Sequence, residues 1–239
     1  MIDTDPSMLN LSRVLEQDPT LSGGIIFVDK PAGISSFGVV ARVRKALSQQ
    51  AGKRIKVGHT GTLDPFATGL LILVYGKMTK QAQNFTKLDK IYEATFVLGA
   101  DSSTGDPEGE INIQQAKPDL SLEQIQTAIT ANIGKIQQQP PIFSAIKING
   151  QRAYKLARQG KSIEMPSREV EIYNIELLSW QSPELKIRAH VSSGTYIRSL
   201  AVDLAKTLGT IAYTKELRRL NIGEYNIIKL EQDGNCLHL

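Results

Sequence analysis

The sequence predicts an α+β fold, a single large domain built on a mixed, largely antiparallel central sheet flanked by helices. Three observations predict it. Apolar residues alternate with polar ones in strand-like runs, as in Tyr92, Ala94, Phe96 and Leu98, or Leu185, Ile187, Ala189 and Val191. Helical spacing appears between such runs, as in Ile197, Leu200, Ala201, Leu204 and Leu208. The two kinds of segment follow one another irregularly, not as a strict βαβ repeat. A chain of 239 residues is long enough to bury a core without disulfide or metal support.

Taken in order, Ile25–Val28 is a short apolar run bounded by turn residues, which reads as a buried strand. Asp29 to Gly33 turns the chain. Ser35 or Ser36 then caps a helix carrying Phe37, Val40, Val43 and Leu47. A glycine- and proline-rich loop, Gly58 to Gly69, leads into a second buried strand, Leu70 to Tyr75. The alternating strand at Tyr92 follows, then an acidic turn-rich loop, Asp101 to Glu110. Ser121 and Gln124 form a capping-box signal for a helix with Leu122, Ile125 and Ile129. After Pro140-Pro141, Ile142 to Ile148 reads as a strand and Asn149-Gly150 as a tight turn. A short helix with Tyr154, Leu156 and Ala157 is expected to end at Gly160. Val170 to Leu178 and Leu185 to Val191 are strands. A loop at Ser192 to Thr195 opens the next helix, which Gly209 stops. Ala212 to Leu220 and Tyr225 to Leu230 are read as the last strands. Residues 1–22 are expected to be a loosely ordered arm, 23–230 the domain, and 231–239 a tail.

Composition excludes several classes. With 41% hydrophobic and 22% charged residues, the chain has a globular balance. The lone cysteine, Cys236, cannot form an internal disulfide, and three scattered histidines argue against a zinc site. No apolar run reaches membrane-spanning length, and the acidic N-terminus resembles no export or transit signal. A cytoplasmic protein is the expectation. The net charge of +4 permits a nucleic-acid partner without requiring one.

The most unusual residue in its setting is Asp64. A residue before proline is biased toward extended backbone, and Pro65 fixes its own φ. Asp64 is either a carboxylate presented stiffly to a substrate or a turn aspartate bonding its own backbone.

Val57-Gly58-His59-Thr60-Gly61-Thr62-Leu63-Asp64-Pro65, with Ala67-Thr68-Gly69-Leu70-Leu71, resembles the catalytic motif of the TruB family of tRNA pseudouridine-55 synthases. Further segments resemble that family in order: Asp29-Lys30-Pro31, Asp89-Lys90-Ile91-Tyr92, Phe143-Ser144-Ala145-Ile146-Lys147, Gly194-Thr195-Tyr196-Ile197-Arg198 and Leu217-Arg218-Arg219-Leu220. Together they cover about residues 23 to 230. The resemblance implies a pseudouridine synthase catalytic domain that isomerises uridine-55 in the T-loop of tRNA. It assigns Asp64 as nucleophile, Arg198 as its guanidinium partner, and Tyr92 as the residue stacked on the uracil and a candidate base. It places His59 against the RNA and Leu217 in the uracil pocket. Lys30 supports the local turn or contacts phosphate. Without the family, Arg198 reads as a surface arginine at a helix start, Tyr92 and Leu217 as core, and His59 as structural or merely exposed.

The reaction exchanges one carbon–nitrogen bond for a carbon–carbon bond without net oxidation or hydrolysis, so no cofactor and no metal are expected. The target nucleotide must be flipped out of its loop. Lys53, Arg54 and Lys56, then Arg152, Lys155 and Arg158, then Lys186 and Arg188, and Arg218 with Arg219 are basic clusters suited to phosphate. The expected partner is the T-arm of tRNA, with no membrane and no guide RNA, and the protein is expected to be a monomer. Longer family members continue into a PUA-type RNA-binding module, which the sequence after Leu230 does not resemble. The competing readings are an RNA-binding or tRNA-folding protein with weak or no catalysis, and an unrelated aspartate-nucleophile hydrolase. The latter lacks a phosphate loop, and Asp101 and Asp106 lack calcium-site spacing.

Overall fold

A computed structural model gives the architecture of residues 11–114, 119–144, 146–148, 150–159 and 164–239. The expected helix end at Gly160, the turn residue Asn149, Ala145 and the first ten residues of the expected arm lie outside the described residues, as do the side chains of Tyr154 and Arg158. The chain forms two compact units, Met1–Tyr92 with Arg218–Leu239, and Glu93–Leu217, where the sequence reading expected one domain.

The first unit begins with helix α1 (Ser12–Gln17), strand β1 (Gly23–Lys30), helix α2 (Ser36–Gln50), β2 (Val57–His59), β3 (Thr68–Gly76), a 3-10 turn (Lys77–Gln81) and α3 (Ala82–Thr86). Strand β4 (Lys90–Leu98) carries the chain into the second unit. There follow β5 (Ala100–Ser102), β6 (Ile111–Ile113), α4 (Leu122–Ala131), β7 (Gly134–Gln138), β8 (Lys147–Ile148), β9 (Gln151–Arg152), α5 (Ala153–Arg158), β10 (Arg168–Gln181), β11 (Glu184–Val191) and α6 (Ile197–Thr207). Strand β12 (Ala212–Ile222) returns the chain to the first unit, which closes with β13 (Tyr225–Asn226), α7 (Ile227–Gln232) and β14 (Cys236–His238). Strands and helices are mixed, and the sheet is mixed as well, as expected.

In the first unit β3 is the central strand. It pairs antiparallel with β1, from Gly23 opposite Gly76 to Lys30 opposite Gly69. It pairs antiparallel with β2 and parallel with β12, where Arg218 faces Thr68 and Arg219 faces Gly69. Seven consecutive residues of β3, Gly69 to Tyr75, are buried, which explains its unbroken apolar sequence. Alternate side chains serve two cores. Leu71, Leu73 and Tyr75 join Ile26, Val28 and the inner face of α2, made of Val39, Val40, Val43, Ala46 and Leu47. Leu70 and Ile72 join Ile222 and Ile227 on the other side. Each fully buried Leu or Ile stabilises the fold by about 1.5–3 kcal/mol.

Ser35 caps α2, its hydroxyl accepting from the Gly38 amide at 3.0 Å. Phe37, expected on the inner stripe, instead points outward and is 67% exposed. Val40, Val43 and Leu47 of that stripe are buried as expected, and Val39 joins them. Residues 11–22, expected to be loosely ordered, carry α1 and bury Leu11 and Leu21 in the α2-side core. The Asp18 carboxylate ties this segment down by accepting from the Gly23 amide and the Tyr75 hydroxyl. The expected C-terminal tail holds β14, which pairs parallel with β1. Tyr225 to Leu230, read as a strand, is a two-residue strand followed by α7; Asn226 caps that helix through the Lys229 amide.

In the second unit the strand order is β4-β11-β10-β7. β10 pairs antiparallel with both β11 and β7. Helix α4 begins with the expected capping box of Ser121 and Gln124, but its first residue, Leu122, is 52% exposed while Ile125, Ala128 and Ile129 are buried. α4 lies against α6 and β10. Among the described residues of the segment read as a strand from Ile142, Lys147–Ile148 form a strand, paired with Gln151–Arg152 in a hairpin. Pro140 and Pro141 precede it and lack the amides a ladder needs.

Candidate active site

The loop between β2 and β3 is anchored at almost every residue. Both the amide and the hydroxyl of Thr60 donate to the Ile72 carbonyl, at 3.0 and 3.3 Å. The buried Ser36 hydroxyl accepts from the Leu63 amide and donates to the Leu63 carbonyl, both at 2.8 Å. The Pro65 carbonyl accepts from the Gly33 amide at 2.9 Å and from Lys30 Nζ at 3.1 Å. The Ala67 amide donates to the Asp64 carbonyl at 3.1 Å. From β12, Arg219 Nε donates to the Leu70 carbonyl at 2.8 Å, Nη2 to Gly61 at 3.1 Å and Nη1 to Thr62 at 3.5 Å. Gly69, at φ +100°, lets this arginine strand approach: a Cβ there would lie 2.3 Å from the Arg219 carbonyl oxygen.

Asp64 therefore sits between two residues, Leu63 and Pro65, whose backbones are held from the side. Its own side chain is half-buried. The arrangement is a carboxylate on a fixed mount, the requirement for a nucleophile that must meet one atom of its substrate.

The other expected site residues divide between the units. His59, Lys30 and Tyr92 belong with Asp64 to the first; Arg198 and Leu217 belong to the second. His59 is half-buried on β2, opposite Leu73 of β3. Tyr92 is 8% exposed on β4. Lys30 is fully buried, and its ammonium donates to the carbonyls of Pro31, Ile34 and Pro65 at 2.8, 2.8 and 3.1 Å. An ammonium has three donors, so Lys30 supports the turn, and its assignment to phosphate is corrected.

Arg198 is not a surface arginine. It is 3% exposed, at the second residue of α6, where the helix dipole disfavours a cation. The buried Asp106 compensates it, with Nη1 to Oδ2 at 3.0 Å. Nη1 also donates to the Thr104 carbonyl and Nη2 to the Phe143 carbonyl, both at 2.8 Å. Leu217 is buried on β12, facing the same way as Arg219 two residues on.

Three residues have roles that the sequence does not announce. Ser36 reads there only as a cap. Arg219 reads as a phosphate contact, although its period-2 register with Leu217 places it inside. Asp106 reads only as a loop carboxylate without calcium-site spacing. No local signal links it to Arg198, 92 residues away.

Several basic clusters are occupied internally. Arg188 pairs with Glu93 at 2.7 Å and Glu176 at 2.9 Å. Arg218 makes two 3.0 Å bonds to the Asp29 carboxylate and approaches Glu231 at 3.8 Å. Arg219, fully buried, is corrected from a phosphate contact to a structural group. Lys53, Arg54, Lys56, Arg152, Lys155 and Lys186 remain exposed. Among the described residues Asp29, Glu231 and His238 bring ligand atoms within 4.8 Å of one another. Arg218 already pairs with both carboxylates, so the group fits a cation poorly.

Residues 44–197 match the family model of the TruB family pseudouridylate synthase N-terminal domain, a stretch that contains His59, Asp64 and Tyr92. The chain belongs to the TruB family. It is 44% identical over 213 residues to a tRNA pseudouridine synthase B of Francisella tularensis, covering 87% of this chain and 69% of that one. It is 47% identical over 197 residues to one from Xanthomonas oryzae, covering 82% and 62%. The TruB-family fold also matches a solved Cbf5-Nop10-Gar1 complex, at a TM-score of 0.69 and 28% identity over 93% of this chain and 54% of that one. The chain thus spans 62% to 69% of these two curated relatives and about half of the solved one. Among the described residues no helix is long and apolar enough to cross a membrane.

Proposed function

We propose that this chain isomerises uridine-55 in the T-loop of tRNA to pseudouridine, with Asp64 as the nucleophile. The observation that carries the reading is a half-buried aspartate on a loop braced by Ser36, Lys30 and Arg219. The relatives named tRNA pseudouridine synthase B support the substrate.

In the proposed reaction the bond between uracil N1 and ribose C1′ breaks, the base turns, and C5 bonds to C1′. A proton leaves C5 and N1 gains one, so atoms and electrons balance without a cofactor. Asp64 holds the intermediate covalently while the base turns. Arg198 is assigned as the guanidinium that keeps this carboxylate ionised, and Tyr92 as the stacking surface for the flipped uracil. His59 is assigned to the RNA and Leu217 to the uracil pocket. Neither a guide RNA nor a second copy of the chain enters this reading.

Incubating the purified protein with unmodified tRNA and mapping pseudouridine by its specific chemistry tests it. Conversion at position 55 supports the proposal. Tight binding without conversion points to an RNA-folding protein instead.

A further inference from the structure

The segment from Ser36 to Lys56 is α2 and the turn after it. It carries six cations, Arg42, Arg44, Lys45, Lys53, Arg54 and Lys56, and no acidic residue. These six outweigh the chain's whole net charge of +4. None is buried, and among the described residues none has a carboxylate partner, unlike Arg188, Arg198 and Arg218. Unpaired like charges repel one another, so such a run is stable only where water or a polyanion screens it.

At the other end of the same helix stands Phe37, 67% exposed. Its helical spacing puts Ala41, Arg44 and Ser48 in one row with it, with Lys45 beside them. Arg44 lies two turns along, about 10 Å away. The residue just before Phe37 is Ser36, whose side chain grips the backbone next to Asp64. An exposed aromatic therefore follows directly on the serine that braces the proposed site, with Arg44 and Lys45 two turns further along the helix. A protein partner would be met by apolar neighbours of Phe37, but its row is small or basic. A single-stranded nucleic acid fits: stacking takes one base, and phosphates take the cations.

We propose that the outward face of α2 is a docking track for the RNA loop, with Phe37 stacking on an unpaired base next to the target and Arg44, Lys45 and the Lys53–Lys56 turn holding phosphates. This rests on the RNA-directed reading above but is tested separately, by binding.

The probe is a hairpin RNA with the T-arm sequence, measured across a salt series. Phe37→Ala is expected to weaken binding about 5- to 150-fold, equivalent to about 1–3 kcal/mol of stacking. Phe37→Tyr should restore most of it. Replacing Arg44 and Lys45 together with alanine should flatten the salt dependence, by about 0.7–0.9 in slope for each lost phosphate contact. Both sites are on the surface, and circular dichroism verifies folding. Parental affinity for Phe37→Ala overturns the stacking platform, and an unchanged slope overturns the phosphate track; either result rejects the proposal. If the parent forms no pseudouridine yet binding still depends on Phe37, the catalytic reading fails and the track stands.

Discussion

Ser36 shows how much one hydroxyl decides. It both donates to and accepts from Leu63, so its loss leaves two buried backbone groups unpaired. Ser36→Ala is expected to cost about 1–3 kcal/mol and to lower turnover more than it weakens tRNA binding. Thermal melts and steady-state kinetics with tRNA measure both; equal turnover would mean the loop needs no such brace. Lys90 is a second case. Burial, with Arg219 nearby, pushes its ammonium down to about 8. Between about pH 8 and 10.5 the unfolded chain holds this proton and the folded chain does not, so stability from this residue rises with pH through that window. Lys90→Met should remove the rise, as seen by comparing denaturation midpoints of the two proteins at pH 8 and pH 10. Cys236 runs the other way in reactivity. Burial and the carboxylates of Asp29 and Glu231 push its thiol up to about 12. Only the thiolate is alkylated, so at pH 8 the folded protein should react roughly a thousandfold more slowly than a free thiol. Rapid labelling of native protein would contradict the burial.

Elements show where sequence was legible and where it was not. The α2 cap, the Ser121–Gln124 capping box and the all-apolar β3 were readable because local chemistry decides them. Val40, Val43 and Leu47 hold the expected stripe, but Phe37, in the first turn, lies beyond the edge of the sheet-facing surface, where Val39 takes the core position. Ile142 to Ile148 reads as a strand by composition, yet among the described residues it is Lys147–Ile148 that form one. The candidate site was legible where motif residues are adjacent, as around Asp64. It was illegible where partners are distant, as with Arg219 and Gly61 or Arg198 and Asp106. The last pair carries a prediction for α6. Asp106→Ala removes one carboxylate from a buried guanidinium that also bonds the Thr104 and Phe143 carbonyls, and should destabilise the fold by about 1–3 kcal/mol. A chemical denaturation curve would show it; a change below about 1 kcal/mol would mean that other groups neutralise Arg198.

At the scale of the molecule, charge and architecture were only partly foreseen. A modest +4 concealed one segment of six unopposed cations among arginines that the fold uses internally. Two units were not legible, because β4 and β12 each cross from one to the other without a turn or linker to mark the boundary. The mixture of strands and helices was readable; the strand order was not, since β3 pairs with β12 across about 150 residues of chain. The central claim is that this whole framework serves one carboxylate. Pseudouridine mapping of unmodified tRNA, treated in parallel with the parent protein and with Asp64→Asn, tests it most directly. The account predicts conversion at position 55 by the parent and none by the variant, which still folds and binds tRNA. Pseudouridine formed at the parental rate by Asp64→Asn would contradict it.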